Sequence, residues 1–126
     1  MLKSAIVVFA LLMPALASAQ QRSTCLSPVF EKRLSSAVAK GEVRLKTIAP
    51  EKALAYANCY ARTACAKLTK IEFEMYALSA ITSYDDKAED EYLRRMRRNR
   101  KENDAALTKI SPNELSATCK QEVGVN

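Results

Sequence analysis

The sequence predicts an all-α domain: a small disulfide-stabilised helical bundle of three main helices, the central one long, plus a short C-terminal helix. Three observations predict it. Over 51–84 the apolar residues Leu54, Ala57, Ala61, Ala64, Leu68, Ile71, Met75 and Leu78 recur in alternating steps of three and four, the spacing of one helical face. The whole chain of 126 residues holds 2 Gly and 4 Pro, too few turn formers for a sheet protein with many tight turns. It also holds 4 Cys and no His, and an even cysteine count in a small exported chain reads as two disulfides.

The first residues read as a leader. Lys3 supplies positive charge, Ala5 to Met13 is apolar but too short to cross a bilayer, Pro14 breaks the run, and Ala17-Ser18-Ala19 is a small-residue cleavage site. Residues 1–19 are therefore expected to be a secretory signal peptide. Residues 20–126 are expected to form a single helical domain, periplasmic or secreted, with no transmembrane segment after cleavage.

Ser27-Pro28 opens the first helix, expected over about 28–47, with Ser at the cap and Pro at the first helical position. Phe30, Leu34, Ala37, Val38, Gly41 and Leu45 follow at helical spacing. Gly41 is either a break or a small residue that lets another helix approach. Ala49-Pro50 punctuates, and Pro50 suits the first turn of the central helix. That helix is expected to run unbroken over 51–84, about 50 Å at 1.5 Å per residue. Phe73, Tyr76, Ala77, Ala80 and Tyr84 add a second apolar row, so its later half should be covered on two sides. Asp85 or Asp86 is expected to cap a third helix over about 87–110. Its apolar stripe is thin, with Asn99 and Asn103 as polar interruptions. Its charges are ordered four apart, Asp90 to Arg94, Glu91 to Arg95 and Arg98 to Glu102, as surface pairs would be. Ser111-Pro112-Asn113-Glu114 is a capping-box signature for the last helix, to about residue 122.

Cys59 and Cys65 sit six apart on the central helix, about 600° of turn and about 9 Å of rise. They cannot bond to each other, because a disulfide wants α-carbons within about 7 Å. Each should pair outward, to Cys25 or Cys119. A third helix folding back from Asp85 favours Cys59–Cys119, and hence Cys25–Cys65. A straight first hairpin is expected to carry Cys25 past Cys65, so that pairing is expected to need a break near Gly41; the swapped pairing stays open.

Chemistry is sparsely signalled. Without His there is no Ser-His or Cys-His constellation. There is no HExxH, GxSxG, EF-hand loop or glycine-rich phosphate loop, and no Cys-x-x-Cys pair for zinc. No cofactor, metal or catalytic residue is expected. Arg33-Leu34 followed by Val38-Ala39, a proline-containing joint and a long second helix resembles, over about 30–60, the exported helical chorismate mutases. Those enzymes place a lysine where this chain has Glu42, and Glu51-Lys52 stands in place of their downstream acidic-arginine signature, so no residue role transfers.

The other candidate is Arg94, Arg95, Arg97, Arg98, Arg100 and Lys101, six basic residues within 94–101. Such a face can hold phosphate, lipid A, acidic polysaccharide or an acidic protein surface. Nucleic acid is disfavoured by the export signal and by the lack of interleaved aromatics. The formal charge of +6 agrees with anionic partners without naming one. Tyr56 and Tyr60, one turn apart, are either a partner-facing pair or the edge of the core. The expected function is a non-catalytic binding protein (an inhibitor, an immunity-type protein or an envelope accessory factor) recognising another protein. The alternatives are a binder of anionic envelope material through 94–101, and a small helical enzyme.

Overall fold

The computed structural model of the chain describes residues 24–125; the expected signal peptide lies outside them. Among the described residues six α-helices follow in order: α1 Pro28–Arg44, α2 Pro50–Lys67, α3 Lys70–Thr82, α4 Glu89–Arg98, α5 Arg100–Lys109 and α6 Pro112–Val123, with a 3₁₀ turn, Asp86–Ala88, leading into α4. The fold is all-α, as the apolar spacing predicts. Proline takes a first-turn position in α1, α2 and α6, where its missing N–H would be unpaired in any case.

The central helix is not continuous. It divides at Leu68–Thr69, where Leu68 is extended and Thr69 caps α3. The Thr69 hydroxyl accepts from the Glu72 amide at 3.3 Å, and the Glu72 carboxylate accepts from the Thr69 amide at 3.0 Å. This reciprocal capping box satisfies two amides that a new helix start leaves open, which makes the break cheap. Leu54, the first member of the expected stripe, is 62% exposed, while Ala57, Ala61, Ala64, Met75 and Leu78 are fully buried. The two-sided burial expected of the later half is present in α3, whose residues Glu72 to Leu78 are all buried.

The third helix also divides. Asn99 leaves helical geometry at φ −128°, ψ 40°, and its side-chain amide donates to the Arg95 carbonyl at 3.0 Å. Asn103 is 4% exposed, and its carbonyl accepts from the Tyr92 hydroxyl at 2.9 Å. The expected polar interruptions are thus a joint and a satisfied core amide. The Asp85 carboxylate caps the 3₁₀ turn through the Lys87 amide, and Ser111 caps α6. Ser27 departs from expectation. It precedes α1, yet its hydroxyl makes no capping bond and donates instead to the Glu74 carboxylate at 2.8 Å.

α1 packs on α2 and α3, α2 on α6, and α3 on α4 and α5. The disulfides are Cys25–Cys65 and Cys59–Cys119, each with α-carbons 5.7 Å apart. α1 runs through Gly41 without a break, correcting the expectation that Cys25 could reach Cys65 only if α1 were bent there. The loop 45–49 absorbs five residues, with Lys46 at a positive φ of 58°, so the straight α1–α2 hairpin already brings Cys25 level with Cys65. At the other end of the chain, Gly124 closes α6 in the left-handed region. Lys52 donates to the Val123 carbonyl at 2.8 Å and the Val125 amide donates to the Lys120 carbonyl at 2.9 Å, which tie down the end of α6.

Candidate functional site: the groove beside α1

A groove of about 730 Å³ runs along α1 from Val29 to Arg44. Its opposite wall is the return of the chain past α3: Ile81, Tyr84, Asp85, Lys87, Ala88 and Glu91. Three contacts fix the spacing of the two walls. At one end the Tyr84 ring lies against Gly41, where a Cβ would sit 1.9 Å from a ring carbon. The Tyr84 hydroxyl donates to Glu42 at 2.8 Å. Near the other end Arg33 forms a two-pronged pair with Glu91, at 2.9 and 3.2 Å. Gly41 therefore serves close approach, one of the two roles its position allows.

Beyond Glu91 the walls lock together through Phe30. The guanidinium groups of Arg33 and Arg95 lie 5.1 and 5.0 Å from the centre of its ring, within cation–π range. Arg95 also donates to Glu74 at 2.5 Å, and Ser27 donates to the other Glu74 oxygen. Glu74 is 6% exposed, so this buried carboxylate is met on both oxygens. The Arg33 hydrogen bonds hold the Glu91 carboxyl below the ordinary range. Likewise Lys109, bonded to Glu72 at 2.8 and 2.9 Å, is the main cause that lowers Glu72.

These pairs replace the expected surface ladder. Glu91 goes to Arg33 and Arg95 to Glu74; among the described residues Asp90–Arg94 and Arg98–Glu102 form no ion pair. Of the six basic candidates, Arg95 is turned inward. Arg94, Arg97, Arg98, Arg100 and Lys101 are exposed, make no ion pair among the described residues, and are split across the Asn99 joint.

The groove itself was missed by sequence reading. Its floor is apolar, with Ala37, Ile81 and Ala88, and the exposed Val29 stands at its rim. Its α1 wall carries Lys32, Arg33, Lys40 and Arg44, while the facing wall mixes Asp85 and Glu91 with Lys87. Lys32, Lys40, Arg44 and Lys87 make no ion pair among the described residues. The available signal was Lys32, Ser36, Lys40 and Arg44 at steps of four, one exposed ridge of a helix. A second groove of about 670 Å³ lies across that ridge, between α1 and α2, reaching Leu54, Asn58 and Arg62.

Tyr56 belongs to the core and Tyr60 to its edge. Tyr56 is 2% exposed and its hydroxyl bonds Ser116 at 2.8 Å; the Tyr60 and Tyr76 hydroxyls bond each other at 2.7 Å. Arg33, which carries part of the chorismate-mutase resemblance, is held by Glu91, and Glu42, where the chain departs from it, accepts from Tyr84 and Thr47. Among the described residues no group of three or more His, Cys, Asp or Glu side chains is placed to hold a metal ion. No helix among them is long and apolar enough to cross a membrane. No protein family, curated protein or solved structure matches this chain.

Proposed function

We propose that this chain is an exported, non-catalytic binding protein that recognises another protein through the groove between α1 and the Ile81–Glu91 wall. The observation that carries the reading is the combination of an apolar floor with cations that no carboxylate of the described residues neutralises. An apolar patch provides affinity and a charged rim provides specificity and encounter rate. Two disulfides and the Phe30–Arg95–Glu74 lock support a preformed surface, which lowers the ordering cost of binding. The test is a pull-down from the envelope or secreted fraction with the oxidised protein lacking 1–19, at low and high salt, beside Lys32→Glu/Lys40→Glu. The reading expects one protein retained at high salt and lost from the variant. Retention unaffected by the two reversals sinks the groove as the site.

A second reading places anionic envelope material on Arg94, Arg97, Arg98, Arg100 and Lys101. It is favoured by their exposure and lack of ion pairs among the described residues, and arginine suits bidentate phosphate contact. Arg97→Glu/Arg98→Glu should then abolish sedimentation with phosphatidylglycerol vesicles at low salt while leaving the fold intact. Equal sedimentation of variant and parent would refute it.

A further inference from the structure

We infer that the occupant of this groove is an amphipathic helix of the partner, seated with its apolar stripe on the floor and carboxylates along one flank against α1. The inference rests on the reading of this groove as the recognition surface. Length supports it first: the α1 wall is 17 residues, about 25 Å at 1.5 Å per residue, enough to lie beside a helix of several turns. Shape supports it next. Gly41 meets Tyr84 and Arg33 meets Glu91, so the facing wall (the end of α3, the 3₁₀ turn and the start of α4) runs back along α1, and a trough along an exposed helix face can seat the ridge of another helix. A flat lipid surface cannot reach the floor of such a trough.

Charge then decides the flank. The groove lining on α1 contains no acidic residue, and Lys32, Lys40 and Arg44 point charge along it without ion-pair partners among the described residues. On the other wall Asp85 stands beside Lys87, so that flank is mixed and favours neither sign. The complementary occupant has acidic residues on the α1-facing flank and neutral or mixed residues on the other. Desolvating the lysines against the floor strengthens that preference over one made in open water.

Two synthetic helical peptides test this. Both carry one leucine stripe; one has glutamates on a single flank, the other lysines at the same places. With the oxidised protein lacking 1–19, the glutamate peptide should bind about tenfold or more tightly than the lysine peptide, about 1.4 kcal/mol. Lys32→Glu/Lys40→Glu should reverse the preference. Val29→Glu should weaken the glutamate peptide, whereas Leu54→Glu, across the ridge, should not. Absence of charge preference, or a preference that the reversal leaves intact, overturns the inference; so does loss on Leu54→Glu, which would mean the other groove. Self-association abolished by Val29→Glu would make a second copy of the chain the occupant and also overturn it. If the peptides fail but a retained partner protein still depends on Lys32, Lys40 and Val29 and not on Leu54, the groove stands and the helix falls. If that partner ignores both lysines, the groove reading itself falls.

Discussion

Gly41 is the residue on which the groove's geometry turns. Its missing side chain is occupied by the Tyr84 ring, and the Tyr84–Glu42 hydrogen bond depends on that fit. Gly41→Ala should push the ring out and cost about 1–3 kcal/mol, the usual range for overpacking, even though alanine is the better helix former. Thermal unfolding measures the loss; an unchanged or raised midpoint would mean that Tyr84 moves freely. Tyr84, Tyr76, Tyr60 and Tyr56 are all raised above the ordinary tyrosine value, chiefly by burial. A raised tyrosine adds stability that is whole below its unfolded value, about 10, and that is lost as pH climbs toward the folded values. Phenolate absorbance for these four should therefore appear with alkaline unfolding and not before it. Glu72 and Glu91 act in the opposite sense. Their lowered values add stability that is whole above the ordinary carboxylate value of 4.5 and fades as pH falls below it. Glu72→Gln and Glu91→Gln should each flatten the acid limb of stability against pH; a limb unchanged by both would mean that other carboxylates set it.

At the scale of elements, the two joints at Thr69 and Asn99 shape the molecule. Thr69→Ala removes the acceptor for the Glu72 amide and should cost about 1 kcal/mol, as lost N-caps do; denaturant midpoints check it, and a neutral result would mean that packing alone ends α2. The first and last helices were legible because their signals are local: Pro28 and Ser111-Pro112-Asn113-Glu114 mark their own starts, although Ser27 bonds Glu74 instead of capping α1. Thr69 and Glu72 also form such a signal, but the unbroken apolar stripe spoke for continuity, and the stripe does not see a turn that keeps its phase. Asn99 was legible as a flaw and not as a joint, since a polar residue on an apolar face can equally be buried and bonded, as Asn103 is. The inward role of Arg95 was illegible. Its partners Glu74 and Phe30 are distant in sequence, and a run of six basic residues in eight hides the one that is used inside.

At the scale of the molecule, each disulfide joins α2 to a distant part of the chain, Cys25 before α1 and Cys119 on α6. Closing such loops adds roughly 2–4 kcal/mol each, a large share of what a domain this size holds. Reduction should lower the denaturant midpoint sharply, and a small change would show that the helices hold alone. The groove belongs to this scale too. Its walls come from α1 and from a segment some fifty residues later, which is why the pairing that shows Lys32 and Lys40 to be unneutralised was not readable from the chain. The most direct test places a photo-crosslinking residue at Lys87, which lines this groove and not the one across the ridge, and another at Thr118, exposed on α6. Recognition through the groove should join one partner protein at position 87 and none at 118, with the joined peptide apolar on one face and acidic beside it. A partner captured at 118 and never at 87 would rule the groove out.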